Sequence, residues 1–533
     1  MQNTNRILYV LAHPLHGNVL VASPVNSVIP PMDLAQLELY LRDYYLNCYP
    51  YDLILKWLSY SNKSNDYLSK REFAFILRDD FHVRFLSFFD AKEFQEKLHQ
   101  SLPYKIDIGA VYNRPPRDRK KVGDFVPQER ELVFDIDLTD YDSIRNCCKD
   151  KSVCKKCWRW ITIAVDVLEN LLRTHFGFKN LLWVFSGRRG VHCWVADKKA
   201  RSLSNRAREA VAKYLTFNKE GTAISRHRVH PFVKDSYRKI MDSGDFDHLV
   251  VEQGWLDSPE KWNSILNLCG DEKLTELLER EFTRLKTPEL RWKSLKLRFD
   301  ELERRKAKES KLPPVASDEN AKRFFLLFVM EFAYPRLDSK VTAGLNHLLK
   351  SPFAVHPKNG NVAIPLCAKD IRNFDLDSVP RIDKLSAEIA SLKELSKENE
   401  DQRSIVYRQT SLTPHIAKPR RFTYSERLKA TFNAVHDPET KFLCDKLLAF
   451  FRGCSTDSSY IVDFTDKSME KAICNFLKSN EGLVLQLLHK YVEFSERGEF
   501  DLFGREDALK NKNRREAMRC FVPSKFREGL STR

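Results

Sequence analysis

The stretch Leu132-Val-Phe-Asp-Ile-Asp-Leu-Thr-Asp140 constrains this chain more than any other. Leu132, Phe134, Ile136 and Leu138 alternate with Val133, Asp135 and Asp137, the period-two pattern of a strand with one face against a core. Residues two apart on a strand lie about 6.6 Å apart on one face. Asp135 and Asp137 therefore project together while Phe134, Ile136 and Leu138 face inward. Two carboxylates on one face repel each other unless a cation joins them. Such a pair can hold two divalent ions ~3.5–4 Å apart, the arrangement used for in-line phosphoryl displacement. A strand running into an acidic turn, with Asp140 and Asp142 following, has the same letters, so the spacing alone leaves both readings open.

Four of the twelve cysteines, Cys147, Cys148, Cys154 and Cys157, fall within one short window, and the other eight are scattered. Scattered cysteines suit a reducing compartment, where a tight cluster is usually a metal site. Four thiolates match the coordination of a closed structural zinc site. The adjacent pair departs from two Cys-x-x-Cys units and no His follows at finger spacing, so a structural role is expected. Free core thiols are the alternative.

The chain has 533 residues, enough for two to four globular units. Its 42% hydrophobic and 30% charged residues are ordinary for a globular protein. With 17 Gly and 23 Pro it is neither fibrous nor wholly disordered. The apolar runs Ile7 to Ala12 and Phe324 to Met330 are far shorter than the ~20 residues of a membrane helix. The first lacks the flanks of a secretory signal, so an intracellular chain is expected. A net charge of +16 favours polyanionic partners, though a merely basic protein has the same balance.

Residues 1–35 are an apolar, Pro-containing lead without a period. Leu37, Leu41 and Tyr45, then Leu53, Leu55 and Leu58, suggest helices. Residues 70–200 read as short strands bounded by turns. There Leu181 to Phe185 and Val191 to Val195 flank Ser186-Gly-Arg-Arg-Gly190, a hairpin signature. Leu274, Leu277, Leu278 and Phe282 predict helix, as do Leu385, Ile389, Leu392 and Leu395. Residues 401–421 read as a linker. Beyond it Leu443, Leu447, Leu448 and Phe451, and more loosely Leu483, Leu485, Leu488 and Val492, fall at helical spacing. The ends Lys510 to Arg515 and Lys525 to Arg533 are basic and poor in apolar residues, so disorder is expected there.

Two further clusters carry chemistry. Ser186, Arg188, Arg189 and His192 surround a Gly-flanked turn, and their guanidinium forks suit a triphosphate. An exposed basic hairpin is the plain alternative. After Tyr334-Pro-Arg-Leu-Asp338, the residues Val341, Leu345 and Leu348 predict a helical stripe with His347 and Lys350 on another face. Asp338 can add a third carboxylate or simply cap that helix.

Tyr104-Lys-Ile-Asp-Ile-Gly-Ala-Val-Tyr112, the Asp135/Asp137 strand, the cysteine cluster, Ser186 to Trp194 and Tyr334 to Pro357 occur in one order. In that order they resemble the archaeo-eukaryotic primase superfamily, specifically the small, catalytic subunits of eukaryotic DNA primases, over roughly residues 36–380. The resemblance implies a mixed-sheet α/β core with an RRM-like heart, a zinc motif, an inserted helical subdomain and a helical C-terminal extension. It implies 1–35 as an N-terminal extension, 36–221 as the first part of the core with the zinc motif at 147–157, and 222–322 as the helical insert. Residues 323–400 are then the second part of the core and 401–533 a helical, partly disordered extension. Asp135, Asp137 and Asp338 match the metal-binding triad, for two Mg²⁺ or Mn²⁺ ions. Glu72 and Arg84 match active-site positions near the nucleotide. Ser186, Arg188, Arg189, His192, His347, Lys350 and His356 match the triphosphate grip, and Cys147, Cys148, Cys154 and Cys157 the zinc ligands. The implied activity is that of a nucleotidyltransferase, a DNA-directed RNA polymerase making short RNA primers on single-stranded DNA from ribonucleoside triphosphates. The implied partners are an iron–sulfur large subunit and the polymerase α complex, in the nucleus. A primase-polymerase or repair polymerase with the same core is the alternative, and a non-catalytic nucleic-acid-binding subunit a third reading that the complete acidic triad weakens.

Overall fold

The alternating segment becomes an edge strand. The computed structural model describes residues 34–60, 65–148, 152–218, 229–308, 316–395 and 410–416. The expected features at residues 1–33 and after residue 416, including both helical patterns and the basic ends, lie outside them. The described strands are β1 (Arg71–Ile76), β2 (His82–Leu86), β3 (Lys105–Tyr112), β4 (Pro127–Glu129), β5 (Leu132–Asp137), β6 (Leu181–Phe185), β7 (Gly190–Val195), β8 (Leu349–Lys350) and β9 (Pro365–Leu366). They form two antiparallel sheets, β2-β1-β3-β4 with β8 also on β3, and β5-β7-β6-β9.

In the second sheet, Phe134 pairs with Cys193 and Ile136 with Val191, while Asp135 pairs with His192 and Asp137 with Gly190. Period two then fixes two faces. Phe134, Ile136, Cys193, Val191, Trp183 and Phe185 share one, against the helix Lys155–Thr174, where Trp158 meets Phe185 and the Trp183 indole N–H donates to Glu169. Val133, Asp135, Asp137, His192 and Trp194 share the other, where Trp57 of the helix Tyr51–Ser59 packs edge-on against Trp194. The β6–β7 hairpin expected from the sequence is present.

The first sheet is packed by the helices Leu34–Asn47, Tyr51–Ser59 and Ala91–Ser101, with Phe73, Phe88 and Phe94 in mutual ring contact. The helix Lys155–Thr174 also carries the helices Pro231–Ser243, Asp245–Glu252 and Ala316–Ala333. Trp160 donates to the Phe332 carbonyl at 2.8 Å, and Arg159 pairs with Asp245 and Glu252.

Three local expectations are corrected. The 20-residue helix Lys155–Thr174 lies in a region expected to be strands and turns. The helix after Asp338 ends at Ala343, so Leu345 and Leu348 lie beyond it and Lys350 sits on β8. The expected linker contains a docked turn, residues 410–416, whose Leu412 and Ile416 are buried and whose Ser411 amide donates to Glu388.

Candidate active site

β5 presents Asp135 and Asp137 on the face turned toward the first sheet. The chain returning after residue 333 is fastened along this open edge. The Asp338 amide donates to the Asp135 carbonyl at 3.4 Å, the Thr342 hydroxyl to the Val133 carbonyl at 2.8 Å, and the Arg336 amide to the Tyr141 hydroxyl at 3.0 Å. Arg130 donates to the carbonyls of Val341 and Gly344. Asp338 thereby arrives beside Asp135, and it also caps the helix Ser339–Ala343 by accepting from the Lys340 amide. The capping reading of this residue is observed directly, and its carboxylate is brought to the side of Asp135.

The carboxylates differ in their surroundings. Asp137 accepts from the Thr139 amide and hydroxyl, each at 2.8 Å, and from Arg189 at 3.1 Å. Burial, then the neighbouring Asp137 and Asp338 carboxylates, push the Asp135 carboxyl up to about 6 against the pull of Lys350 and Lys105. His192 Nε2 lies 3.6 Å from Asp135, but burial, with Lys350 and Lys105, pushes this imidazole down to about 3. The contact is therefore no ion pair at neutral pH. His192 Nδ1 is buried and has no hydrogen-bond partner among the described residues.

The turn between β6 and β7 faces this group. Gly187 has φ +92°, and a Cβ on Gly190 would lie 2.0 Å from the Ile136 carbonyl, so both positions require glycine. Lys350, buried on β8, donates to the Ser186 carbonyl at 2.9 Å and joins the two sheets. Burial, then Lys105, pushes its ammonium down to about 7. His356 lies against Gly187, and burial, then Lys350 and Arg188, hold it neutral, at about 2. Burial, then Arg130, lowers His347 as well, while Asp338 and Asp135 act in the opposite direction. Burial, followed by Arg189, lowers Arg188.

Glu72 is fully buried on β1. It accepts from Arg84 at 3.0 and 3.2 Å, from the Tyr112 hydroxyl at 3.1 Å and from the Phe85 amide at 3.3 Å. Arg84 also donates to the Asn346 carbonyl, next to His347. The sequence reading did not single out Asp107. It is buried on β3 opposite Lys350, bonded to Lys105 at 2.9 Å, with one oxygen unpartnered among the described residues. A carboxylate in the otherwise apolar run Ile106 to Val111 was its signal.

Farther off, the sulfurs of Cys147, Cys148, Cys154 and Cys157 all lie within 4.8 Å of one another, a group that can hold a metal ion. Cys154 caps the helix Lys155–Thr174. Gln253, at the end of the helix Asp245–Glu252, accepts from the Asn146 and Cys147 amides and so fixes the cysteine loop.

Comparison with known proteins decides what this arrangement belongs to. A family model described as DNA primase small subunit matches residues 134–368, from β5 past His356. The DNA primase small subunit of Caenorhabditis elegans is 42% identical over 413 residues, covering 74% of this chain and 98% of that protein. The chain belongs to the DNA primase small subunit family. Those of Drosophila melanogaster and Saccharomyces cerevisiae are 34% and 32% identical, each over 66% of this chain and over 82% and 86% of their own lengths. As a member of this primase family the chain is a nucleotidyltransferase, the catalytic subunit that makes RNA primers for DNA replication. No described helix of this primase subunit is long and apolar enough to cross a membrane.

Proposed function

We propose that this primase subunit joins ribonucleotides on single-stranded DNA with Asp135, Asp137 and Asp338 as ligands of two divalent ions, magnesium or manganese. The observation that carries the reading is the Asp338 amide on the Asp135 carbonyl, which gathers three carboxylates where Asp135 and Asp338 have no Lys or Arg ion pair among the described residues. Burial, reinforced by repulsion from Asp137 and Asp338, already lifts Asp135 to about 6, which suits a cation ligand set. Bound there, divalent cations supply charge neutralisation at the attacking 3′-oxygen, the α-phosphate and the departing pyrophosphate.

The remaining work falls to the chain. Arg188 and Arg189 offer fixed cationic forks to the triphosphate, and Lys350, His356 and Ser186 border the same turn. Their backbone anchors are in place beforehand, so their contribution is largely positional. His192, held neutral by burial 3.6 Å from Asp135, lines the triphosphate site without cancelling the charge of that carboxylate. Glu72 holds Arg84 toward Asn346 and His347, at the nucleotide's edge.

The four cysteines suit one structural zinc ion. Tetrahedral zinc–sulfur bonds of about 2.3 Å separate sulfurs by roughly 3.8 Å, close to the spread observed. A large, iron–sulfur-containing subunit, the polymerase α complex and a nuclear location complete the proposal, supported by the relatives' description as a small subunit. The deciding assay is RNA synthesis from ribonucleotides on bare single-stranded DNA. Product without a primer is expected. Synthesis only from a primer or only from deoxynucleotides returns the chain to a repair-polymerase role.

A further inference from the structure

On the outer side of Glu72 lies a patch that nucleotide transfer does not use. Phe85 has φ +63°, a conformation an aromatic residue adopts only when its surroundings impose it. Glu72 is the holder, through the Phe85 amide. The Phe85 ring faces a second aromatic pair, Tyr112 stacked on Phe125 with centroids 4.1 Å apart and planes 6° from parallel. It lies 6.4 and 6.0 Å from those two rings. The Arg119 guanidinium lies over Phe85 at 3.9 Å and that of Arg84 at 4.9 Å.

The short turn Pro116–Lys121 supplies the charge. Arg117 is paired with Glu93 and Lys121 with Asp118. Arg114, Arg119 and Lys120 are exposed and have no carboxylate partner among the described residues. Arg84, through the Asn346 carbonyl beside His347, connects this patch to the triphosphate grip. Unmatched cations next to ring faces and flat guanidinium planes are what a single strand requires. Phosphates take the cations and bases stack on rings or on arginine.

We propose that Arg114, Phe85, Arg119 and Lys120 form a seat for the single-stranded DNA template beside the active site, with phosphates on the cations and one base against the Arg119–Phe85 stack. This rests on the primase reading, and binding measured without nucleotides separates the two. The experiment uses the full chain, a fluorescent oligodeoxythymidylate, and the variants Arg119→Ala/Lys120→Ala and Arg119→Glu/Lys120→Glu. The alanine pair is expected to weaken oligonucleotide binding about tenfold and the glutamate pair more. The slope of log affinity against log salt should shrink by about 1.4, or ~0.7 for each of two lost contacts. The Michaelis constant for ribonucleotide stays unchanged, and saturating template restores the full rate. Unchanged affinity and salt slope in folded variants overturn the proposal. So does a lost rate that saturating template fails to restore, or a defect seen only with a partner subunit, which makes the patch a protein contact. If the unaltered chain binds the oligonucleotide yet makes no primer, primer synthesis fails as a reading while the seat is still judged by affinity.

Discussion

Two carboxylate sites, one fully buried and one half-buried, lie four residues apart in the chain and are built on opposite rules. Glu131, just before β5, is fully buried and held by Arg71 through two bonds of 2.9 Å, with Tyr60 donating as well. Burial alone would raise its carboxyl, but Arg71 overcomes this and holds it at about 2. Arg208, also buried, donates to the Glu131 and Arg130 carbonyls. Asp135 lies beside two further carboxylates and has no Lys or Arg ion pair among the described residues, and it is pushed up to about 6. Matched charge at Glu131 locks the strand in place. Unmatched charge at Asp135 is a cost to the fold, and the proposed divalent ions are what would relieve it.

The largest expected effect is on Asp135→Ala or Asp137→Ala. Primer synthesis should fall by at least about a thousandfold, several kcal/mol of lost transition-state stabilisation, while the melting temperature stays equal or rises. Appreciable synthesis by either purified variant erases the contrast. Glu131→Ala should do the reverse. Leaving Arg71 buried and unpaired costs about 3–5 kcal/mol in urea denaturation, with the rate per folded molecule nearly kept. A rate loss without a stability loss would put Glu131 among the catalytic groups.

Elemental analysis should find one zinc ion per chain, and loss of one thiol, in Cys154→Ser, should remove it and lower stability before activity. A normal melting temperature in a zinc-free variant would make the cluster mere core thiols. The pH profile sharpens the comparison further, because the two carboxylates act with opposite sign. Glu131 is lowered from 4.5 to about 2, so its stabilisation is present above pH 4.5 and is lost as the pH falls toward 2. Asp135 is raised from 3.8 to about 6, so in metal-free protein stability is fullest below pH 3.8 and declines as the pH rises through 6. Denaturation series with Glu131→Gln and Asp135→Asn should each flatten its own window, and added Mg²⁺ or Mn²⁺ should reverse the decline above pH 6. The smallest effect is expected from truncation after Ile416, which should leave synthesis intact. Cutting near residue 405 also removes the buried Leu412 and Ile416 and should cost about 2–4 kcal/mol more.

What could be read from the letters was local. The Asp135/Asp137 alternation and the Gly-flanked turn each state their geometry within about ten residues, and both reappear as β5 and as the β6–β7 hairpin. Lys350 was misread because Val341, Leu345 and Leu348 imitate a helical stripe. Gly344 stops that helix, and Leu349–Lys350 is extended by pairing with Asp107 and Ile108 far back in the chain. The same long-range pairing hid Asp107. The helix Lys155–Thr174 keeps a clear one-sided period, with Arg159, Asp166, Glu169 and Arg173 on its polar side, and it was missed because the strand-like runs before and after it drew the whole of 70–200 into one reading. In the supposed linker, Leu412 and Ile416, four apart, were the overlooked sign of a docked turn.

The fastening of residues 336–344 along β5 also sets when this protein can begin to work. Val133 and its partner Thr342 are 209 positions apart, and at roughly 5–20 residues per second a ribosome needs about 10–40 s to cover that distance. Throughout that interval the nascent chain has Asp135 and Asp137 but neither Asp338 nor Lys350, so it cannot assemble the site while still half-made. The helices made in between have time to fold before the edge of β5 is sealed. Closing so long a loop costs only about 0.6 kcal/mol more for each doubling of its length. The helices between β7 and the returning segment can therefore grow or shrink with little effect on whether the edge of β5 is closed.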